Sequence, residues 1–426
     1  MIQKPKGTYD VYGKLSKQTK YFEKLVSSLM EKYNYEYIRT PLFESSSLFH
    51  RGVGDSTDIV TKETYDFKDK GNRDLTLRPE GTAGVVRSFI ENKIYAESLL
   101  NKFWYFGPMY RYERPQAGRY REFFQFGVEA FGSLDPLMDA EVISIPVNLF
   151  KLLGLKGIKV HINTLGDMES RNNYKEALKK HFEPFLDNLC DDCKNRFSKN
   201  PLRILDCKVD NDLECMKSAP KITDYLNEIS KKHFESVKKY LDSMNIEYII
   251  DESLVRGLDY YTHTVFEVEA NVEGFGSQNV LCGGGRYNDL VKTLDGPEIP
   301  GVGFALGLER LFTALDYENI DISESENIDV YIMPLCEDKS VAIKYLNIIR
   351  MNGYSADMDY LNRSMKSNFK SVEKLNPKYI LIIGEDEINN NTFTLKNNEK
   401  RVEYKIEQDK SIDFLDEFVG GYIDED

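Results

Sequence analysis

The chain has 426 residues, 41% hydrophobic and 30% charged, with a formal net charge of -14 at pH 7. That length predicts two or three domains and a large buried core, and the composition suits a soluble globular protein. The acidic balance excludes a general nucleic-acid coat, no apolar run is long enough to cross a membrane, and the opening "MIQKPKGTYDVYG" lacks the apolar core of a signal peptide.

Phe22, Leu25, Val26, Leu29, Met30 and Tyr33 recur at spacings of three and four, which predicts an amphipathic helix over 16–33. Tyr35–Arg39 alternates and then meets Pro41, a strand stopped by proline. "RDLTLRPEGTAGVVRSFIE" reads as a strand, a Pro-Glu-Gly turn and a helix. "KFWYFGPMYRYERP" and "EFFQFGVEAFG" are aromatic strands either side of "PQAGRY", an antiparallel hairpin with an extended tip. From about 167 to 245 the chain turns helical and highly charged, as an insertion would. Strand texture returns in "HTVFEVEA" and "NVLCGGGRYND", and "PGVGFALGLERLFTALD" leads a strand into a helix. The acidic "ENIDISESENID" is a plausible linker, and beyond it β and α segments alternate as in a small α/β domain. No repeat or low-complexity tract is present.

The hairpin gathers Arg111, Arg114, Arg119 and Arg121, an unusual concentration for an acidic chain. A planar guanidinium can hold two phosphate oxygens at once, and period-2 alternation puts Arg111 and Glu113 on one face, as a triphosphate carrying a divalent ion requires. Ion pairing of these arginines with Glu113, Glu122 and Glu129 is the plainer reading. Cys190 and Cys193, with Cys207 and Cys215 further on, have a spacing that can build a tetrahedral zinc site; free thiols in a reduced cytosol are the alternative. Cys282 and Cys336 read as core residues, and His263 as a packing or surface residue. Arg363, Lys366, Lys370 and Lys374 follow at 3, 4 and 4, a basic stripe along one helix face, with Met365, Phe369 and Val372 on another. Such a stripe fits an RNA backbone or is an ordinary solvated face.

The helix–strand–proline unit at 16–41, the arginine hairpin and "GLERL" at 307–311 resemble the three signature motifs of class II aminoacyl-tRNA synthetases. "LVRGLDYY" (254–261) and "GGGRYN" (283–288) resemble two peptides peculiar to histidyl-tRNA synthetases, and the resemblance spans nearly the whole chain. It implies an α+β fold: a class II antiparallel sheet flanked by helices in a catalytic domain over 1–322, the helical insertion, and a C-terminal α/β anticodon-binding domain over 327–426. It implies a cytoplasmic homodimer, paired through the first motif, that uses L-histidine, ATP with Mg2+, and tRNA(His), with no membrane association. Histidine and ATP would give histidyl-adenylate and pyrophosphate, and the histidyl group would then pass to the 3′ end of the tRNA.

Carried over by position, Arg111 would hold the α-phosphate, Glu113 would lie by the ATP and its magnesium, and Arg119 would meet the terminal phosphates. Phe123 and Arg310 would sandwich the adenine. Arg256 would be the catalytic residue touching both the α-phosphate and the histidine carboxylate; an ion pair with Asp259 is its plainer reading. Glu80, Thr82 and Gln125 would take the α-amino group, and Glu129 and Tyr261 would bracket the imidazole. Arg114 and Gln116, at the hairpin tip, would reach the tRNA acceptor end. The family chemistry requires no zinc. Tyr112, Phe124 and Asn288 depart from common family forms, which carry His, His and Asp there. A non-catalytic regulatory paralogue and an RNA-sensing module are the competing readings; the presence of Arg111, Arg256, Arg310 and the last hundred residues disfavours the first, and the intact ATP and amino-acid positions disfavour the second.

Overall fold

The computed structural model describes residues 1–426 apart from 55–56, 58, 117, 208, 273–278, 324–326 and 420–426. The tip residue Ala117 and part of the linker stretch therefore lie outside the described residues. The chain divides into two compact units, Met1–Ser323 and Glu324–Asp426.

In the first unit, the apolar spacing noted above does form a helix, Gly13–Lys32, which buries Phe22, Val26, Leu29 and Met30. Eight strands make the sheet beneath it: β1 (Glu36–Tyr37), β2 (Asn101–Tyr110), β3 (Glu122–Phe131), β4 (Ile158–Thr164), β5 (Tyr248–Ile250), β6 (Thr262–Ala270), β7 (Val280–Arg286) and β8 (Gly301–Gly307). Their spatial order is β1-β2-β3-β8-β7-β6-β4-β5. The six inner strands are antiparallel, whereas β1 pairs parallel with β2 and β5 parallel with β4. The sheet is thus mixed at its edges. A parallel neighbour needs a long crossover, and both edge strands have one; β5 returns from β4 through the whole insertion and the helix Glu228–Ser243. β1 is shorter than the alternation at 35–39 suggests, because pairing to β2 ends after Tyr37 apart from one bond, from Ile38 N–H to the Trp104 carbonyl at 2.9 Å.

The hairpin β2–β3 runs in register from Asn101↔Phe131 to Tyr110↔Glu122. Phe22, Phe126, Phe266 and Phe304 bury their rings where the first helix and the sheet meet. Asp135 caps the helix Pro136–Leu152 by accepting from the Leu137 N–H at 2.9 Å, with Pro136 in the first turn. That helix presents Asp139 to Arg286, and both side chains have 0% exposure. Arg286 Nε lies 3.0 Å from each Asp139 oxygen, and its Nη1 donates to the Ser133 carbonyl at 2.7 Å. The arginine of "GGGRYN" is therefore a structural clamp, and Asn288 is an acceptor of that clamp at 3.4 Å.

Residues 167–245 are mainly helical, with Met168–Phe182, Asp191–Lys199 and Glu228–Ser243 as the longer helices, and the last of these packs Phe234, Val237 and Leu241 into the core of the main sheet. The second unit is a five-stranded sheet in the order Ala356–Met358, Val330–Pro334, Tyr379–Ile383, Thr392–Asn397, Glu403–Glu407, parallel among the first three and antiparallel beyond. Its helix Met365–Leu375 begins after Arg363 and leaves Lys366, Lys370 and Lys374 exposed. Arg363 does not join that stripe. It is tied to buried Asp359 at 2.7 Å, to the Ser371 hydroxyl at 2.6 Å and to the Tyr331 hydroxyl at 3.2 Å, because the loop before the helix carries it inward. The expected apolar face is also incomplete: Val372 is buried and Phe369 partly so, but Met365 is 45% exposed. No helix among the described residues is long and apolar enough to cross a membrane.

Candidate active site

A cleft of about 470 Å³ opens over β3, β6, β7 and β8 in the first unit. Its walls include nearly all of the side chains singled out from the sequence: Glu80, Thr82, Arg111, Glu113, Arg119 and Phe123 on one part, and Gln125, Arg256, Tyr261 and Arg310 on another. Glu129 lies beneath, with one carboxylate oxygen against Gly303 on the cleft floor.

Local backbone geometry aims the arginines. The ladder of β2 stops at Tyr110, and Arg111 N–H bonds back to the Arg121 carbonyl at 2.9 Å. A tight turn follows, with Glu113 N–H on the Arg111 carbonyl at 2.8 Å. Glu113 therefore reaches Arg111 through this turn rather than by strand alternation. Its carboxylate sits 3.9 Å from Arg111 Nη1 and 3.3 Å from Arg119 Nη1. Arg111 Nε is fixed on the Pro79 carbonyl at 2.8 Å, and its guanidinium lies 5.3 Å from the Phe123 ring centre. Arg310 Nη1 donates to the Val280 carbonyl at 3.0 Å. Burial lowers the Arg310 pKa, and Arg119 and Arg111 nearby add to that, with Glu113 opposing. Three guanidiniums around one carboxylate are an anion receptor. Arg121 is not part of it: its guanidinium packs 3.8 Å from the Tyr112 ring centre and its Nε donates to the Glu113 carbonyl at 3.3 Å. Arg114 and Gln116 are exposed, and Gln116 pairs its backbone with Arg119 across the tip.

Arg256 pairs with Glu267, not with Asp259. Asp259 instead accepts from Asn200 Nδ2 at 2.7 Å. Burial opposes the Arg256 charge, but Glu267 and the hydroxyls of Tyr261 and Tyr260 outweigh it and raise its pKa.

The other end of the cleft is carboxylate and hydroxyl. Glu80 accepts the N–H groups of Thr82 and Ala83, both at 2.7 Å, at the start of the helix Thr82–Glu91. The Thr82 hydroxyl donates to Glu129 at 2.7 Å, Tyr105 adds a longer bond at 3.5 Å, and the Tyr287 hydroxyl donates to the other oxygen. Burial pushes the Glu129 carboxyl up to about 8 despite these bonds, and Glu80 is raised by burial as well. Tyr260 packs tilted against Tyr261 and edge-on to Tyr287, at 4.6 and 5.6 Å between ring centres.

Four polar atoms of cleft-lining side chains are buried without a hydrogen-bond partner among the described residues: Gln125 Oε1, Glu113 Oε2, Arg119 Nε and Arg256 Nε. A Cβ at Gly283 would stand 2.5 Å from the Arg256 guanidinium, and one at Gly303 would stand 2.1 Å from Glu129 Oε2. Only a side-chain-free strand lets these two groups reach the floor.

Sequence reading alone missed Tyr105, Tyr260, Tyr287, Glu267 and Asp206. Tyr260, Tyr287 and Glu267 stand inside or beside the quoted peptides; Asp206 is brought to the cleft by the insertion and carries no local signal. Phe124, which stands where a histidine is common, offers its backbone N–H to Glu309 at 2.8 Å and packs on Phe106. His263 stacks on His233 at 4.8 Å and is not among the cleft-lining residues. Cys336 is buried in the second unit, and Cys282 is buried but also lines the cleft. The proposed set of four cysteines does not assemble. Asp210, not Cys215, joins Cys190, Cys193 and Cys207, because Cys215 is carried away on the short helix Glu214–Lys217.

A helix-flanked sheet, antiparallel at its centre, that gathers arginines around a cleft, together with an appended α/β unit, defines a class II aminoacyl-tRNA synthetase. The Histidyl-tRNA synthetase family model matches residues 7–311, and the Anticodon binding domain model matches 329–418. The chain belongs to the histidyl-tRNA synthetase family. It is 53% identical over 397 residues to the histidine–tRNA ligase of Macrococcus caseolyticus, covering 93% of this chain and 94% of that one. The apo histidyl-tRNA synthetase structure from S. aureus superposes with a TM-score of 0.83 at 45% identity, over 97% of this chain and 99% of that one. A Bacillus halodurans C structure described as an ATP phosphoribosyltransferase regulatory subunit/histidyl-tRNA synthetase shares the fold, with a TM-score of 0.63 at 21% identity over 90% of this chain and 98% of that one.

Proposed function

We propose that the cleft activates L-histidine with MgATP and that the protein then esterifies the 3′ end of tRNA(His). The observation that carries this is the set of four buried, unsatisfied atoms, two acceptors and two guanidinium donors, around one cleft. Buried polar groups are rarely left unpaired: an ammonium suits Gln125 Oε1, a magnesium ion suits Glu113 Oε2 beside its 3.3 Å ion pair with Arg119, and carboxylate and phosphate oxygens suit the two guanidinium donors.

In the first step a histidine carboxylate oxygen bonds to the α-phosphorus, and the bond from that phosphorus to pyrophosphate breaks. Charge grows on the phosphate oxygens, where Arg111 and Arg256 stabilise it, while Arg119 takes the terminal phosphates. Glu113 lies between Arg111 and Arg119, where a carboxylate can accept the magnesium carried by ATP. Phe123 and Arg310 stack on the adenine. Glu80, Thr82 and Gln125 accept from the α-amino group. Glu129 and Tyr261 pair the imidazole nitrogens, so apolar isosteres leave buried groups unpaired and are rejected. In the second step the terminal ribose hydroxyl attacks the histidyl carbonyl carbon and AMP leaves.

Arg114 and Gln116 at the hairpin tip contact the acceptor end, and Lys366, Lys370 and Lys374 contact the tRNA backbone. The catalytic domain runs over 1–322 and the anticodon-binding domain over 327–426. The working form is a cytoplasmic homodimer paired around the first helix and β1. Histidine-dependent exchange of pyrophosphate into ATP, followed by charging of tRNA(His), tests the reading. Exchange that ignores histidine would refute it.

A further inference from the structure

We propose that Cys190, Cys193, Cys207 and Asp210 bind one zinc ion, which fastens the helical insertion beside the cleft. One ligand atom from each of the four lies within 4.8 Å of every other. Cys190 Sγ and Cys207 Sγ are 3.7 Å apart. Two zinc–sulfur bonds of about 2.3 Å at a tetrahedral angle put the sulfurs about 3.8 Å apart. The ligands come as two short arms, Cys-x2-Cys and Cys-x2-Asp, whose four ligand atoms converge.

Burial points the same way. Cys193, Cys207 and Asp210 are 0%, 5% and 5% exposed. Cys190 N–H donates to the two Asp210 oxygens at 3.2 and 3.1 Å, yet no lysine or arginine among the described residues pairs with that carboxylate. That carboxylate stands beside the three sulfur atoms, where one divalent ion could join all four. Asp210 N–H donates to Cys207 Sγ at 3.4 Å, which draws the second arm together. Binding would release the three thiol protons to solvent and leave three thiolates and one carboxylate on the ion. Three sulfur ligands select zinc over magnesium or calcium, and a full set of four protein ligands marks a structural site rather than a catalytic one.

The site has a mechanical consequence. Asp206, next to Cys207, lines the cleft, and Asn200 in the same segment bonds Asp259 of the "LVRGLDYY" peptide. The ion would tie both ends of segment 190–210 while its middle rests against the catalytic peptide. This consequence rests on the cleft being the catalytic site, whereas the metal content does not.

The test is elemental analysis of the full chain purified without chelators or a histidine tag. We expect about one zinc per chain, as a buried four-ligand site holds its ion through purification. Cys193→Ser and Cys207→Ser should lose most of it, and Cys215→Ser should keep it. Cobalt(II) in place of zinc should show thiolate charge-transfer and tetrahedral bands. Should the serine variants fail to fold, mercurial titration of the wild-type protein should release zinc as the thiols react. Metal-free protein with freely reacting thiols, a Cys190–Cys207 disulfide, or zinc retained by a folded Cys207→Ser variant would each overturn the site.

Discussion

Arg256 and Glu267 form an ion pair in the cleft, and Arg256 Nε keeps a donor with no acceptor among the described residues. Glu267 fixes one face of the guanidinium, so the remaining donor is oriented before any substrate arrives. Its loss should therefore act on the transition state more than on binding. Arg256→Ala is expected to lower kcat for pyrophosphate exchange on the order of 10²–10³-fold with a small change in the KM for histidine. Glu267→Gln should lower it less, because the charge stays and only its aim loosens. Exchange at the wild-type rate in Arg256→Ala would remove it from the mechanism.

Glu129 gives a pH prediction. Burial raises its carboxyl to about 8, so the folded protein favours the protonated form. A group raised in this way contributes stability that is complete below its unfolded pKa of about 4.5 and is lost as pH rises through about 8. The melting temperature of the ligand-free protein should fall as pH rises from about 4.5 to about 8 and level off above, and Glu129→Gln should remove part of that fall. The same variant should raise the KM for histidine while leaving the KM for ATP nearly unchanged. Equal rises in both would make Glu129 a fold residue only.

The hairpin tip should separate the two reactions. Arg114 is exposed, and Gln116 pairs with Arg119 through backbone atoms alone. Arg114→Ala or Gln116→Ala is expected to leave pyrophosphate exchange nearly intact and to slow histidyl transfer to tRNA. A parallel fall in both would place the tip within the ATP site.

In the second unit, Lys366, Lys370 and Lys374 should act together on RNA. Changing all three to Glu should weaken tRNA binding strongly and reduce its salt dependence, with no effect on exchange. Arg363→Ala should behave differently, lowering the stability of that unit because buried Asp359 loses its partner. RNA binding that is indifferent to the three lysines would make the stripe a solvated face.

Much of this was legible in one dimension. The helix Gly13–Lys32 and the hairpin β2–β3 followed from periods of 3.6 and 2, since each buries a single face. The cleft residues followed from motif resemblance, because most lie in or next to short contiguous peptides. What stayed hidden depends on closure in three dimensions. Alternation along β6 does not say that Glu267, rather than Asp259, would meet Arg256. Equal chemistry made Cys215 look like a ligand, and only the fold of the insertion puts Asp210 there instead. Arg363 fits a helical spacing with Lys366, but the helix starts two residues later. The parallel edges β1 and β5 depend on long crossovers that no local pattern encodes.

The two glycines under the cleft have a consequence for engineering. Gly283 and Gly303 lie on neighbouring antiparallel strands, and each leaves room for a different charged group, Arg256 above one and Glu129 against the other. A methyl at Gly303 would collide with Glu129 and with the Val128 carbonyl, and one at Gly283 would push the Arg256 guanidinium from its place. Attempts to broaden the amino-acid range of this protein should therefore fail when directed at the floor. They have more room at Leu258, which lines the cleft without pairing with either charge.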